Sequence, residues 1–355
     1  MMCISMIKQK GVLVAVLLSL SFLYSGCLSE KSYLVKEETV AITLITSING
    51  AGDNGYNDLI LSGALRYYQA HEDVKFSLQH PLDWEDASNL LDSWVESTRE
   101  SKEDALLLLA SSDYKELLTA GTWTLADNQH IVVFECEHDG LPERVSSFRI
   151  GRYGASYLSG CMAHESPEAY VVAAMEHDKL MDEAVTGFCD GYRHTSGNEA
   201  VVHYLAEDYK GYGMPDEAYR FVNELDEAFV YPLAGGSNNG VYKYSREAKL
   251  SFLLVAGMDM DCSDYSTRIP FSVVVHIDEV VYAMLDEWAT SRTLPSHTDY
   301  TLASDGVIGV DINEYFFDRV WIWRDYYEDS DYWLKVRDKY IEEALEKERE
   351  YAGAK

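Results

Sequence analysis

Basic residues are scarce in this chain. Its 355 residues include 29 Lys and Arg against 60 Asp and Glu, a formal net charge of −31. Nucleic-acid affinity comes largely from neutralising phosphates with Lys and Arg, so this charge balance excludes nucleic acid as a partner. The acidic surface serves solubility instead. Cysteine is also rare, with 6 residues. No two cysteines form a CxxC pair and no close ligand pairs occur, which argues against zinc or any other metal centre. The G-x-S-x-G elbow, the H-E-x-x-H helix and the P-loop are all missing, so the sequence predicts no enzyme of those classes. The 10 histidines are scattered, and carboxylates are too abundant for any glycosidase pair to stand out.

Long apolar runs are missing too. The stretch Val12–Leu23 (VLVAVLLSLSFL) falls short of the roughly 20 residues a membrane-spanning helix needs. Lys8 and Lys10 precede it, and Ser25, Gly26 and Cys27 follow, the layout of a secretory signal. The string LYSGC resembles a bacterial lipobox, with Tyr24 where leucine is usual. That resemblance implies a signal peptide over 1–26, lipidation of Cys27 and a polar tether over 27–38; the alternative is an uncleaved anchor helix. Either way the bulk lies in the cell envelope, facing the periplasm or the exterior. In an oxidising compartment Cys136, Cys161, Cys189 and Cys262 could form one or two disulfides, and four cysteines allow three full pairings.

From Val40 onward strands and helices alternate. Strands are expected at Val40–Thr46, Val74–Gln79, Ala105–Ala110, Ile131–Glu135, Tyr170–Met175, Ala200–Leu205, Ala228–Leu233, Ser251–Gly257 and Val273–Ile277. Helices fall between them, and a charged helix runs from Asp331 to Glu350. Repeated βα units predict an α/β protein with mostly parallel sheets and helices on both faces. The strands are too many for one comfortable sheet, and Phe148–Tyr153 reads as a crossing between two lobes. A short strand pair is expected around Asp305–Gly306. In such folds ligands sit beyond the carboxyl ends of the strands.

The loop after the first strand, SINGAGDNGYND, contains Gly50-x-Gly52-x-x-Gly55 between a strand and a helix, so a dinucleotide fingerprint has to be weighed. Asp53 inside the loop would set a negative charge near the pyrophosphate, and the tip of the second strand carries no acid. A secreted NAD-dependent oxidoreductase is the weaker reading, and no cofactor is expected. Tyr56 and Tyr242 are candidates to stack on a ring, a contact worth about 1–3 kcal/mol where nucleic-acid bases stack on aromatics, or to pack as ordinary core. Asn57 can donate and accept at a base edge or serve a turn. Asp259 and Asp261 stand two apart at a strand end and are expected on one face, where a carboxylate could take both hydrogen bonds of a diol. A turn, or a calcium loop without the EF-hand glycine, are the other readings. Asp113 is either a ligand contact or the N-cap of the next helix.

Several segments, in chain order, resemble the basic membrane lipoproteins, the purine nucleoside receptors of ABC transporters. Asp53-Asn54-Gly55-Tyr56-Asn57 is similar to that family's D-x-S-F-N loop, and Gly63 lies on the following helix. Phe148–Ala163, Gly187–Tyr192 (GFCDGY), Ala234–Tyr242 (AGGSNNGVY) and Gly257–Asp261 (GMDMD) resemble further family segments. The family has a sugar-contacting lysine in a T-S-x-x-K strand, whereas this chain reads SVVVH and sets His276 there. The resemblance implies a type I periplasmic-binding-protein fold with two Rossmann-like lobes and a multi-stranded hinge. One lobe would be 39–152 with 271–304, the other 153–270 with 305–355. It further implies a monomer that captures a small polar ligand, a nucleoside, through Asp53, Tyr56, Asn57, Asp113, Tyr242, Asp259, Asp261 and His276, and hands it to an ABC permease. A ligand-sensing lipoprotein without a transporter is the remaining alternative.

Overall fold

The computed structural model describes residues 40–354 apart from 122–123, 249–251, 305, 320–322, 324–326 and 328. The expectations about the signal peptide, Cys27 and the tether therefore lie outside the described residues.

Strands β1 (Val40–Ile45), β2 (Val74–Gln79), β3 (Asp104–Leu109), β4 (Gln129–Phe134), β5 (Val145–Ile150) and β12 (His297–Tyr300) build a six-stranded sheet in the order β12-β5-β4-β3-β1-β2. All its pairings are parallel, with Val40 opposite both Val74 and Asp104. The central strands are apolar on both sides because both faces are covered. Ile42, Leu44, Leu106 and Leu108 pack beneath α1 (Tyr56–Ala70) and α8 (Ile277–Ser291), while Ile45, Leu107 and Leu109 meet α2 (Trp84–Thr98) and α3 (Tyr114–Ala120).

The second sheet system begins after the chain leaves β5. Strands β6 (Ala169–Met175), β7 (Val201–Ala206), β8 (Phe229–Leu233) and β9 (Leu254–Val255) lie in the order β7-β6-β8-β9, all parallel. Strands β10 (Gly257–Asp259), β11 (Phe271–Val275) and β13 (Ile308–Ile312) follow in the order β10-β11-β13, with β13 antiparallel. Only Ala256 separates β9 from β10, and its N–H still donates to Val230 O on β8 at 3.0 Å. Helices α4 (Tyr153–Met162), α5 (Lys179–Ser196) and the C-terminal α9 (Tyr332–Ala354) share a core with one face, and α6 (Pro215–Val222) and α7 (Asn238–Glu247) with the other.

Glycine spacing explains how closely some helices meet. A Cβ on Gly160 would stand 2.1 Å from Phe188 O, and one on Gly191 would stand 2.0 Å from Tyr157 O. Helices α4 and α5 can therefore touch backbone to backbone only while both residues lack a side chain. Gly63 plays the same part between α1 and α8, where a Cβ would lie 2.4 Å from Asp278 O.

Several expectations need correcting. The segment 271–275 was assigned with the first lobe but pairs, as β11, with β10 and β13. Only from α8 does the chain rejoin the first sheet, packing on α1 and adding β12 beside β5. Strands β12 and β13, on either side of residue 305, do not pair with each other; β12 pairs with β5 and β13 with β11. The crossing expected over Phe148–Tyr153 is shorter, since Phe148 and Ile150 belong to β5. Cys136, Cys161, Cys189 and Cys262 are all free thiols, so the disulfides considered from composition are not formed.

Candidate functional site

A cavity of about 340 Å³ opens between the two sheet systems, at the carboxyl ends of their strands. One wall comes from the β1–α1 loop, the residues after β3 and the end of β4. The other comes from the β6–α5 loop, the Tyr209–Gly213 turn and the ends of β8 and β10. The strand-end rule thus holds on both sides.

Asp53 organises the first loop. Its Oδ1 accepts the Gly55 N–H at 2.9 Å, and its Oδ2 accepts the Asn57 N–H at 3.1 Å and the Asn57 amide at 2.8 Å. Asp58 does the same for the Gly52 and Asn54 N–H groups, at 2.6 and 2.8 Å. The donors that a pyrophosphate would use at this helix start are therefore already taken by the loop's own carboxylates. The G-x-G-x-x-G spacing here serves a turn, and the dinucleotide reading loses its seat.

Glu135 and Arg152 form the buried floor. Arg152 Nη2 donates to Glu135 Oε1 at 3.0 Å and Nη1 to Ile150 O at 2.9 Å, while Glu135 Oε2 accepts the Ile150 N–H at 3.0 Å. The Tyr56 hydroxyl donates to the same Glu135 Oε1, and the Arg152 guanidinium lies 5.4 Å from the Tyr56 ring centroid. Burial foremost, and then the Glu135 charge, push the Tyr56 phenol well above its ordinary pKa, so it stays a donor. Burial opposes the Arg152 charge, but Glu135 and Tyr56 outweigh it and hold the guanidinium protonated.

Asp178 faces the cavity from the start of α5. It caps that helix by accepting the Leu180 and Met181 N–H groups at 3.0 and 3.2 Å, and it takes the Tyr212 hydroxyl at 2.7 Å. Tyr209 reaches across from the same turn and donates to Asp113 Oδ1 at 2.7 Å. Asp113 also accepts from Ser111 Oγ at 2.8 Å. Its side chain makes no hydrogen bond to the helix it precedes, so the N-cap alternative fails. Asp259 lies beside the start of α1, where a Cβ on Gly55 would come within 3.0 Å of its Oδ2. Burial, then the Asp53 and Glu135 charges, raise its pKa to about 6 against the opposing pull of Arg152.

Of the eight residues expected at the site, Asp53, Tyr56, Asn57, Asp113 and Asp259 line the cavity. Tyr242, Asp261 and His276 do not. Tyr242 is buried on α7 against Tyr265, with ring centroids 5.5 Å apart. Asp261 is exposed and closes a turn by accepting the Ser263 N–H at 2.9 Å. The same-face expectation for Asp259 and Asp261 fails because Asp259 has φ +68°, which breaks strand alternation between them. His276 is exposed at the start of α8, where its backbone O accepts from Glu279 N and Val280 N.

Sequence reasoning missed Glu135, Arg152, Asp178, Tyr209, Tyr212 and Trp84, all of which line the cavity. The available signal was positional: Glu135 ends an expected strand and Asp178 follows another. Glu135, like Asp259, has a left-handed backbone, φ +59°, which is uncommon without glycine and is found at functional sites. Away from the cavity, one group of three potential metal donors occurs among the described residues, Glu137, His297 and Asp299. Arg149 Nε stands 3.3 Å from Glu137 and 3.4 Å from Asp299, so a guanidinium already supplies the positive charge there.

No protein-family model matches the sequence, and no curated protein matches it. Solved structures do match. An ABC transporter system solute-binding protein from Aeropyrum pernix K1 superposes with a TM-score of 0.68 at 18% identity, over 85% of this chain and 91% of that one. A transcriptional activator of the comK gene from Bacillus halodurans gives 0.62 at 17%, over 85% and 97%. GanP, a glucose-galactose binding protein from Geobacillus stearothermophilus, gives 0.55 at 16%, over 78% and 98%. Identities this low show architecture alone, and that architecture is the type I periplasmic-binding-protein fold.

Proposed function

We propose that the chain is an extracytoplasmic solute-binding protein, anchored through Cys27, that captures a small organic ligand between its two sheet systems and delivers it to an ABC permease. The observation that carries this reading is the 340 Å³ cavity, walled by strand ends of both systems and lined by aromatic faces together with a few convergent polar groups, the usual anatomy of a small-molecule site. Solved solute-binding proteins of the same architecture support it. On this reading 40–152 with 277–300 moves as one lobe, and 153–275 with 306–354 as the other. Opening separates Tyr209 from Asp113 and admits the ligand; closing buries it. No catalytic role is assigned to the cavity, and the protein acts as a monomer.

The motif resemblance implies a nucleoside. Trp84, Tyr209 and Tyr212 offer ring faces for a base, and Asp259 offers a carboxylate for a ribose diol. Mass spectrometry of ligand retained by the natively purified protein, with thermal shift across nucleosides and sugars, tests the reading. At least one compound should raise the melting temperature, and Trp84→Ala and Asp259→Asn should each remove most of that rise. An unchanged rise in both variants would discard the site. Turnover of a bound compound would make the protein an enzyme instead.

A further inference from the structure

Resting on that capture reading, we propose that the solute is an organic cation: a flat or apolar body carrying a protonated amine, with its charge set against Asp259 and Asp113. The argument is one of charge balance. Six carboxylates line the cavity, from Asp53, Asp83, Asp113, Glu135, Asp178 and Asp259, and Arg152 is the single positive side chain among the described lining residues.

That one cation is already committed, because Arg152 is matched by Glu135 at 3.0 Å and by Ile150 O at 2.9 Å. Three other carboxylates have their charge offset by helix starts. Asp83 accepts the Asp86 N–H at 2.8 Å, Asp178 caps α5, and Asp53 gathers N–H groups at the start of α1, where the helix dipole favours negative charge.

Asp113 makes no hydrogen bond to the helix it precedes, and Asp259, beside the start of α1, has only part of its charge offset by Arg152. Asp113 receives only the neutral hydroxyls of Ser111 and Tyr209. Asp259 packs against Gly55, and the Arg152 charge that acts on it is shared with Glu135. A carboxylate removed from water without a counter-charge is costly, and a ligand that brings the counter-charge recovers that cost. Burial first, and then the Asp53 and Glu135 charges, raise the proton affinity of Asp259 against the pull of Arg152. Trp84, Tyr209 and Tyr212 add ring faces of the kind that attract ammonium groups. An anionic ligand meets like charge from every side except Arg152.

Two matched probe series test this by isothermal titration at pH 7.5 and low salt. The first is 5′-amino-5′-deoxyadenosine, adenosine and adenosine 5′-monophosphate; the second is tyramine, 4-ethylphenol and 4-hydroxyphenylacetate. In at least one series the cation should bind about tenfold or more tighter than its neutral partner, with the anion weakest. Asp259→Asn should close most of that gap, and Asp113→Asn serves as a second variant should the first lose its fold. Equal binding of cation and neutral compound, tightest binding of an anion, or binding of neither cation overturns the proposal. So does a natively retained ligand without a basic nitrogen. Binding of adenosine with no gain from the amine removes the cation while leaving solute capture standing.

Discussion

The Tyr209 hydroxyl and the Asp113 carboxylate meet at 2.7 Å, joining a turn of the second sheet system to the loop after β3 in the first. A weaker neighbour, from Asn239 Nδ2 to Asp53 O at 3.5 Å, also connects the two systems. If closure traps the ligand, the tyrosine contact holds the closed form. Tyr209 is 41% exposed, so this hydrogen bond is worth about 1 kcal/mol, close to a fivefold change in an equilibrium constant. Tyr209→Phe should therefore speed ligand release about fivefold and leave the urea midpoint of the free protein nearly unchanged. Stopped-flow dissociation of the retained ligand measures the first quantity. An unaltered release rate would mean that the contact does not restrain opening.

The floor pair makes a different demand. Arg152 and Glu135 are both buried, and removing one partner strands the other. Arg152→Met or Glu135→Gln alone should cost about 3–5 kcal/mol of stability. The double variant should cost less than the sum of the two, because no charge is left alone. Chemical denaturation of the four proteins completes the cycle. Additive losses would show that the two groups do not depend on each other.

The α/β class and most of the elements were legible because apolar runs and their spacing set them directly. Leu106–Leu109 is buried on both faces, and its continuous hydrophobicity says so. The first loop could be located as well, since a turn rich in glycine between a strand and a helix has few other uses. Roles within the site were less legible. Arg152 and Glu135 stand 17 positions apart, and nothing local marks them as a pair until β4 and β5 lie side by side. Asp259 and Asp261 were expected on one face because strand alternation was assumed through a residue whose φ is +68°. His276 was placed by analogy with a lysine, yet α8 starts there and turns it to solvent. His276→Ala and Asp261→Asn should each leave ligand affinity within about twofold of the parent, by the same titration. A larger loss in either would return that residue to the site.

Two of the segments that resemble receptor motifs, around Gly160 and Gly187–Gly191, do packing work. A Cβ on Gly191 would stand only 2.0 Å from Tyr157 O, so Gly191→Ala must push α4 and α5 apart. Overpacking of this kind costs about 1–3 kcal/mol or more. The expected result is a lower melting temperature with unchanged affinity in the folded fraction. A variant of normal stability but weak binding would assign the motif to the ligand instead.

Stability should fall as pH rises from about 4 to 7. Burial raises Asp259 from 3.8 to about 6 and Glu348 from 4.5 to about 7. Glu348, on α9, accepts the Gly154 and Leu302 N–H groups at 3.3 and 2.9 Å, with Glu183 and Arg149 nearby. Each carboxyl holds its proton more tightly folded than unfolded. Its stabilising effect is complete below the ordinary pKa and is lost as pH climbs through the folded value, where the native state still binds protons that the unfolded chain has released. At about 1.4 kcal/mol per pKa unit, each group contributes a fall of about 3 kcal/mol. Repulsion within a chain of net charge −31 pushes the same way, but salt screens it. Urea denaturation between pH 4.5 and 8 at high salt isolates the two carboxyls. Asp259→Asn should flatten the slope below pH 6, and Glu348→Gln the slope up to pH 7. A profile that stays level or rises at high salt would show that neither carboxyl is desolvated as its surroundings require.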